Sequence, residues 1–171
     1  MPVAGGGKIP NTKSADCTGG SGMFLPVSIN ITDKKIVLVG GGKTAFHKAT
    51  VLHRFTDNAV VVAPEFHAGF DSLPFELKRK AYEPDDLDGA FLVYVCTDNE
   101  ALNAAVKTEC ERRRILTSVC DNPSLCDFIS PAIYKDGNLS IAVSSNAQNV
   151  RQSIRIRDRI KELLTKGVIE P

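Results

Sequence analysis

Three consecutive glycines separate an apolar segment from a segment with helical periodicity. The stretch is IVLVGGGKTAFHKATVL, residues 36–52. The apolar part predicts a buried strand from Lys35 to Val39, and the part after the glycines predicts a helix from Thr44 to Phe55. Glycine tolerates positive φ and lets another group approach the backbone closely. Because the N–H groups and dipole of a helix N-terminus attract anions, the junction predicts a phosphate-binding turn.

The spacing of the glycines is that of a dinucleotide-binding turn. Gly40-x-Gly42-x-x-Ala45 fits the pattern G-x-G-x-x-G/A. The first glycine allows the tight turn, the second lets a pyrophosphate approach, and the small third residue lets the helix pack on the strand. Since the pattern lies between a strand and a helix, it favours dinucleotide binding. The predicted cofactor-binding residues of this turn are Gly40, Gly41, Gly42, Lys43 and Thr44.

Strand and helix patterns alternate through the first hundred or so residues after Met23. Apolar runs predict strands at 58–64, 90–96 and 115–119, and "KAY" at 80–82 fits a small strand. A short helix is expected within 66–79, and a longer one from Asn99 to Arg113, opened by a Thr97-x-x-Glu100 capping box. This alternation predicts an α/β fold, a Rossmann-type parallel sheet with helices on both faces.

Polar residues follow three of these strands, at the edge where such sheets bind ligands. Glu65 follows the second strand and is a candidate partner for the ribose, or equally an ordinary loop acid. No Arg lies near that turn to hold a 2′-phosphate, so NAD is favoured over NADP. Thr97 and Asp98 follow the strand at 90–96 and are further cofactor candidates, with helix capping as the competing role.

Asp121 follows the strand at 115–119. Asn122 can cap a helical turn and Pro123 suits its first position, which leaves Asp121 to face the cleft. A carboxylate there could accept a proton as a general base. The competing role is fixing the turn before Pro123.

The pattern changes after Asp121. Two strand-like runs flank Asp136-Gly137, a strong hairpin signal, and a final helix is expected over Gln148–Thr165. Its apolar residues are Val150, Ile154, Ile160 and Leu164. The hairpin and helix are too small for a core of their own, so we expect them to form a homodimer interface. The predicted division is 1–22, a disordered or artificially added leader; 23–120, the NAD-binding Rossmann domain; and 121–171, the dimerisation hairpin and C-terminal helix.

Composition narrows the class of protein. A formal charge of +1 gives no support for nucleic-acid or membrane binding, and no run is long enough to span a bilayer. The N-terminus lacks the apolar core of a signal peptide, which favours a cytoplasmic protein. The five cysteines show no CxxC spacing, and no metal site is predicted. Cys96 and Cys110 fit core positions; Cys120 and Cys126 fit packing positions, with a reactive thiol or metal ligand as the alternative.

The chain resembles the precorrin-2 dehydrogenase module of siroheme synthases. The resemblance runs from FLPVSINITDKKIVLVGGGKTAFHKATVL through DDLDGAFLVYVCTDNEALN to ILTSVCDNPSLCDFISPAIYKDGNLSIAVSS. The order of VGGG, CTDN, VCD…FISPA and AVSS is specific, whereas any one of these alone would not be. One departure is SSNAQNV, where the family usually continues SS with Gly-Gly and a Pro.

The resemblance implies oxidation of precorrin-2 to sirohydrochlorin with NAD⁺, on the way to siroheme. It implies that Asp121 is the catalytic aspartate and that Ser144-Ser145 belongs to the substrate site. Relatives that also insert iron have a longer helical region, so any ferrochelatase activity is expected to be weak. Precorrin-2 carries many carboxylates, and the candidate cations for them are Arg151, Arg155, Arg157, Lys43 and Lys48; each could instead be a solvated surface residue.

Two other functions stay open on the sequence. One is a regulatory Rossmann module that binds NAD or another nucleotide without turnover. The other is a tetrapyrrole-binding protein without catalysis. Asp121 and the hairpin favour the enzyme over both.

Overall fold

The computed structural model describes residues 22–120 and 122–169. The leader predicted at 1–22 lies outside the described residues except for Gly22, and so does Asp121. The main element is a five-stranded sheet: β1 Lys35–Val39, β2 Ala59–Ala63, β3 Glu76–Arg79, β4 Ala90–Val95 and β5 Leu116–Val119. Its α-helices are α1 Lys43–Leu52 and α2 Glu100–Arg113, and short 3₁₀ turns span Ala68–Ser72, Pro84–Leu87 and Pro123–Leu125.

All five strands are parallel, in the order β3-β2-β1-β4-β5. The chain therefore builds outward from β1 in one direction and then, from β4, in the other. In open parallel sheets the point where the order reverses leaves a crevice beyond the carboxyl ends of the strands. The three glycines follow β1 at that point. The predicted fold class is confirmed.

The core has two halves because side chains alternate along β1. Ile36 and Leu38 face α1, where Ala45 and Ala49 are fully buried. Val37 and Val39 lie in the cluster on the opposite face, which includes Val106 and Cys110 of α2. β2 is buried along its whole length, as expected for a strand covered on both faces.

The edge strand β3 differs from the prediction. Glu76–Arg79 pairs with Val60–Ala63, whereas residues 80–82 form no strand. The "KAY" assignment was therefore wrong. Its physical reason is that an edge strand needs only one apolar face and is often protected by charged residues, so ELKR has no strong strand pattern.

The start of α2 also differs. The N-cap is Asn99, whose Oδ1 accepts a hydrogen bond from the Leu102 N–H at 3.0 Å, so the Thr97-x-x-Glu100 box was wrong. Thr97 lies two residues earlier. Its hydroxyl donates to Asn103 Oδ1 at 2.5 Å and ties the end of β4 to the first turn of the helix.

The C-terminal part is an antiparallel hairpin covered by one helix. β6 Ala132–Asp136 pairs with β7 Leu139–Val143, and α3 Val150–Thr165 packs against both strands. Asp136 pairs with Leu139, so the hairpin forms as expected but its two turn residues are Gly137 and Asn138, one position later than the predicted Asp136-Gly137. The apolar stripe expected on α3 is only partly covered within one chain. Val150 is 62% exposed and Ile154 39%.

An ion pair fastens the segment between β5 and the hairpin to the sheet. The Asp127 carboxylate accepts hydrogen bonds from the Lys107 ammonium at 2.6 Å and from the Thr117 N–H at 2.9 Å. Burial lowers the pKa of Lys107, but its hydrogen bonds to Asp127 and Glu111 outweigh this and raise it. The ammonium therefore stays charged, and the segment leaving β5 has a fixed position against α2.

Two residues between β7 and α3 adopt the left-handed conformation without being glycine. Asn146 has φ 55° and Ala147 has φ 61°. These are the positions at which the resembling family usually carries Gly-Gly. Two hydrogen bonds of the Asn146 side chain offset the strain of its backbone. Its Oδ1 accepts from the Phe24 N–H at 2.7 Å, and its Nδ2 donates to the Gly22 carbonyl at 2.9 Å. Ala147 has only a methyl group, so backbone strain there is uncompensated by side-chain hydrogen bonds.

We predict that Ala147→Gly stabilises the protein. The left-handed conformation costs alanine about 1–2 kcal/mol, and glycine would remove this cost. Glycine also raises the entropy of the unfolded chain, which lowers the stability by about 0.4–1 kcal/mol. The net gain in the free energy of unfolding should be about 0.5–1 kcal/mol, measured by urea denaturation. The matched control is Ala142→Gly in β7, which should lose about 0.5–1 kcal/mol. Equal losses in both variants would contradict the strain at Ala147.

Candidate functional site

Gly40 and Gly41 are required by the packing of the turn itself. Gly40 has φ 122°, and a Cβ there would lie 2.3 Å from the carbonyl oxygen of Cys96. A Cβ on Gly41 would lie 2.0 Å from the carbonyl oxygen of Glu65. The turn after β1 is thus held directly against the ends of β2 and β4, and neither glycine can be replaced without moving backbone.

Gly42 has a different environment. It is the N-cap of α1 with an extended backbone, φ −76°, and a Cβ built on it would meet no atom within 4 Å. Any residue could adopt this backbone, so the packing of the described chain does not require glycine here. The open space over Gly42 belongs to a cavity of about 470 Å³ at the carboxyl ends of β1, β2 and β4. Its location at a helix N-terminus suits a phosphate group.

Every residue predicted to bind the cofactor lines this first cavity: Gly40, Gly41, Gly42, Lys43, Thr44, Glu65, Thr97 and Asp98. Their side chains contribute to this cavity in different ways. Glu65 is exposed and its carbonyl packs on Gly41, whereas the Thr97 hydroxyl is engaged by Asn103. Asp98 is exposed at the rim. Glu65 is therefore a carboxylate available to ribose hydroxyls, and Thr97 mainly shapes the wall.

Sequence reasoning missed Tyr82, which also lines the first cavity. Burial raises the pKa of Tyr82 to about 12, so its phenol is protonated at neutral pH. Its hydroxyl oxygen is buried and has no hydrogen-bond partner among the described residues. With Leu102 it supplies the apolar part of the wall. No motif marks this tyrosine, because the loop after an edge strand brings it to the site.

A second cavity, of about 440 Å³, lies between α1, the end of β5, the hairpin and α3. Ser144, Ser145, Lys48 and Arg157 line it, whereas Arg151 and Arg155 do not. Arg151 is exposed on the first turn of α3, outside the cavity. The two serines also hold the loop before α3, since Ser145 Oγ accepts from the Asn149 N–H at 3.0 Å and Ser144 Oγ from the Asn146 N–H at 3.4 Å.

The charged residues among the described lining of the second cavity are cations. Arg54, just beyond the end of α1, and Arg157 of α3 both donate to the Ile133 carbonyl oxygen, each at 3.4 Å. The Lys48 ammonium lies 5.3 Å from the centre of the Tyr94 ring. No Asp or Glu occurs among the described residues that line this cavity. Two guanidinium groups converging on one carbonyl, with a third cation nearby, form a site for an anion with several acceptor oxygens.

Sequence reasoning also missed Arg54, because it lies beyond the end of α1 and outside any motif. Its role depends on the hairpin, which brings the Ile133 carbonyl to it. Only the folded chain, in which both guanidinium groups reach the Ile133 carbonyl of β6, reveals the pairing with Arg157.

The two cavities adjoin. Thr44 lines both of them, Cys96 lines the first, and Cys120 lines the second. The Sγ atoms of Cys96 and Cys120 are 2.7 Å apart. A cofactor in one cavity and a substrate in the other would therefore meet at the ends of β4 and β5. Asp121, the predicted catalytic residue, follows Cys120 but lies outside the described residues.

Residues 22–120 and 122–169 contain neither a metal-binding cluster nor a helix fit to cross a membrane. No group of three or more His, Cys, Asp or Glu side chains is arranged to hold a metal ion. No helix combines the length and hydropathy that crossing a membrane requires.

We predict that Gly42→Val abolishes NAD⁺ binding and leaves the fold intact. The side chain would fill the space over the helix N-terminus, where nothing in the described chain would obstruct it. Calorimetric titration should detect no NAD⁺ binding, while the unfolding midpoint stays within a few degrees of the unsubstituted protein.

Gly41→Ala is the contrasting control, because its methyl group would clash with the Glu65 carbonyl. It should lower the unfolding midpoint. Unchanged NAD⁺ affinity in a folded Gly42→Val protein would exclude this turn as the phosphate site.

Comparison with known proteins agrees with the geometry. Siroheme synthase from Methylobacillus flagellatus is 35% identical over 144 residues, which cover 82% of this chain and 31% of the relative. Siroheme synthase from Photorhabdus laumondii is 34% identical over 149 residues, covering 85% and 32%. The chain thus spans about a third of the length of these curated relatives. Among solved structures, SirC, a precorrin-2 dehydrogenase, shares the fold with a TM-score of 0.72 and 23% identity, over 81% of this chain and 70% of that one.

A family model described as NAD(P)-binding matches residues 27–132, more than half of the chain. The matched range contains the glycine turn, all the predicted cofactor residues and the whole parallel sheet. The open space over Gly42 fits the phosphate groups of such a cofactor, and the expectation of a nicotinamide dinucleotide is confirmed. The chain belongs to this NAD(P)-binding family.

Proposed function

We propose that this chain is an NAD-dependent dehydrogenase that oxidises precorrin-2 to sirohydrochlorin. The observation that carries the proposal is the pair of adjoining cavities. One surrounds a dinucleotide turn, and the other is lined by cations that suit a polycarboxylate. Siroheme synthases are similar to most of this chain in sequence, and a precorrin-2 dehydrogenase shares its fold.

The lining of the second cavity suits a tetrapyrrole that carries several carboxylates. Its walls combine apolar residues of the hairpin and α3 with the cations Lys48, Arg54 and Arg157. The apolar walls suit the macrocycle, and the guanidinium groups suit its carboxylates, which they can bind in bidentate fashion. Arg54 and Arg157 share the Ile133 carbonyl weakly, at 3.4 Å, so a carboxylate could replace that contact without breaking a strong one.

Each part of the site has a role in this proposal. NAD⁺, when bound, supplies the hydride acceptor. Gly42 and the N-terminus of α1 hold its pyrophosphate, and Glu65 accepts hydrogen bonds from a ribose. NAD is favoured over NADP because a carboxylate at this position repels a 2′-phosphate. Asp121 removes the proton that leaves the macrocycle as it is oxidised.

Incubation with enzymatically generated precorrin-2 and NAD⁺ tests the proposal directly. NADH and sirohydrochlorin should appear in equal amounts, at a rate proportional to the concentration of the chain. NAD⁺ binding without turnover would instead indicate a nucleotide-binding regulatory module. Tetrapyrrole binding without turnover would indicate a carrier.

We predict that Asp121→Asn loses turnover by roughly 10²–10⁴-fold, because the amide keeps the shape of the side chain but cannot take a proton. NAD⁺ affinity and the unfolding midpoint, measured on the same preparation, should be unchanged. The matched control is Asp136→Asn, since this exposed carboxylate at the end of β6 lines neither cavity. Full activity in Asp121→Asn would remove this residue from the mechanism.

We predict that Arg54→Gln and Arg157→Gln each lower kcat/KM for precorrin-2 by roughly 10–100-fold, as expected for losing a charged hydrogen bond of about 1.5–3 kcal/mol. NAD⁺ affinity should not change. Arg159→Gln on the same helix is the control, because Arg159 pairs with Glu162 and lies outside the cavity. If all three variants behave alike, the cations of the cavity do not recognise the substrate.

We further propose that the chain forms a homodimer through the hairpin and α3, and that it is cytoplasmic. The dimer is supported by six exposed apolar residues in or next to the hairpin and α3: Leu139, Val150, Ile154, Ile156, Val168 and Ile169. A single hairpin and helix cannot cover them. Sedimentation at micromolar concentration should give a dimer, and a monomer would contradict the assignment. The cytoplasmic location rests on the composition alone.

Metal insertion into the product is a separate hypothesis. We expect ferrochelatase activity to be weak compared with dehydrogenation. Conversion of sirohydrochlorin with Fe²⁺ or Co²⁺ should be close to the rate without protein, and robust acceleration would contradict this expectation.

A further inference from the structure

The thiols of Cys96 and Cys120 form a close pair at the boundary between the two cavities. Their Sγ atoms are 2.7 Å apart, and a disulfide bond would bring them to about 2.05 Å. Both side chains belong to the α1 side of the sheet, where Cys96 is buried and Cys120 is partly exposed. No motif in the chain predicts this pair, because 24 residues separate the two cysteines.

The sheet register makes the pair suitable for a covalent bond. Val95 is paired with Val119, so Cys96 and Cys120 are the next residues on adjacent parallel strands. The Cys120 N–H donates to the Val95 carbonyl at 2.8 Å, which continues the ladder up to the cysteines. Adjacent strands lie about 4.8 Å apart, within the range of Cα separations of about 4.4–6.8 Å that disulfides span. The bond can therefore form with little movement of the backbone.

We propose that Cys96 and Cys120 are a redox-active dithiol in which Cys120 reacts first and Cys96 resolves the product. The oxidant is a low-molecular-weight disulfide such as glutathione disulfide. The Cys120 thiolate attacks one sulfur of the oxidant, forms a mixed disulfide and releases one glutathione thiolate. The Cys96 thiolate then attacks Cys120 Sγ, forms the Cys96–Cys120 disulfide and releases the second glutathione. Two protein thiols are oxidised and one glutathione disulfide is reduced to two thiols.

The order of the two steps follows from exposure. Cys120 lines the second cavity and is the more exposed cysteine of the pair, whereas Cys96 is buried beneath the glycine turn at the edge of the first cavity. A glutathione left on Cys120 would occupy the space of the substrate. Resolution by Cys96 clears that space and replaces a bulky adduct with a bond between neighbouring strands. The pair thus protects the cavity against a persistent glutathione adduct. The effect on turnover rests on the proposed function, whereas the formation of the disulfide does not.

Mass spectrometry of the full chain after treatment with glutathione disulfide tests the proposal. The thiol titre should fall by two per chain, and the intact mass should fall by two hydrogens rather than rise by one glutathione. Trypsin should release residues 81–107 linked to residues 115–135. Because the second peptide also contains Cys126, the link must persist in Cys126→Ala and vanish in Cys120→Ala.

Cys96→Ala separates the two steps. This variant should keep one glutathione on Cys120 and lose most of its turnover relative to the same variant untreated, with recovery after dithiothreitol. A stable glutathione adduct on Cys120 of the unsubstituted chain would overturn the proposal. A link through Cys110 or Cys126 would also overturn it, as would the absence of modification in both proteins while circular dichroism shows them folded.

Discussion

The close contact of the glycine turn with two neighbouring strand ends is the constraint on which the site depends. Gly40 lies against the carbonyl of Cys96 after β4, and Gly41 lies against the carbonyl of Glu65 after β2. A side chain at either position would push the turn out of the sheet edge. Because the turn is held at this depth, the N-terminus of α1 opens onto the cavity and Gly42 is left with empty space above it.

The second cavity depends on how the chain leaves the sheet after β5. Lys107 and Thr117 hold Asp127, so the segment that leads to the hairpin is fixed against α2. The hairpin then brings the Ile133 carbonyl between Arg54 and Arg157. The parallel sheet and the hairpin therefore form one functional unit, in which the sheet supplies the cofactor edge and the hairpin closes the opposite wall. The cost of this closure includes a strained Ala147 in the loop before α3.

Much of this arrangement could be predicted from sequence because it follows from local pattern. The strand, the glycines and α1 are consecutive, and the rule that ligands bind at the carboxyl ends of parallel strands brings Glu65, Thr97 and Asp98 to the same cavity. Contacts between segments that are distant in sequence could not be predicted from local pattern. β3 is an edge strand with a charged sequence, and Tyr82 reaches the cavity through an irregular loop. Arg54 can be recognised as a cavity residue only once the fold brings the Ile133 carbonyl to it. Arg151 shows the opposite error, since a basic residue near the right helix turned out to lie outside the cavity.

In the proposed function, a dinucleotide and a tetrapyrrole occupy adjoining cavities and meet at the ends of β4 and β5. A crystal structure with NAD⁺ and sirohydrochlorin bound together tests it most directly. We expect a pyrophosphate over Gly42 and a nicotinamide ring that passes Thr44 towards Cys96 and Cys120. The macrocycle carboxylates should lie within hydrogen-bond distance of Arg54 and Arg157. A macrocycle bound elsewhere, or a dinucleotide bound away from Gly42, would contradict it.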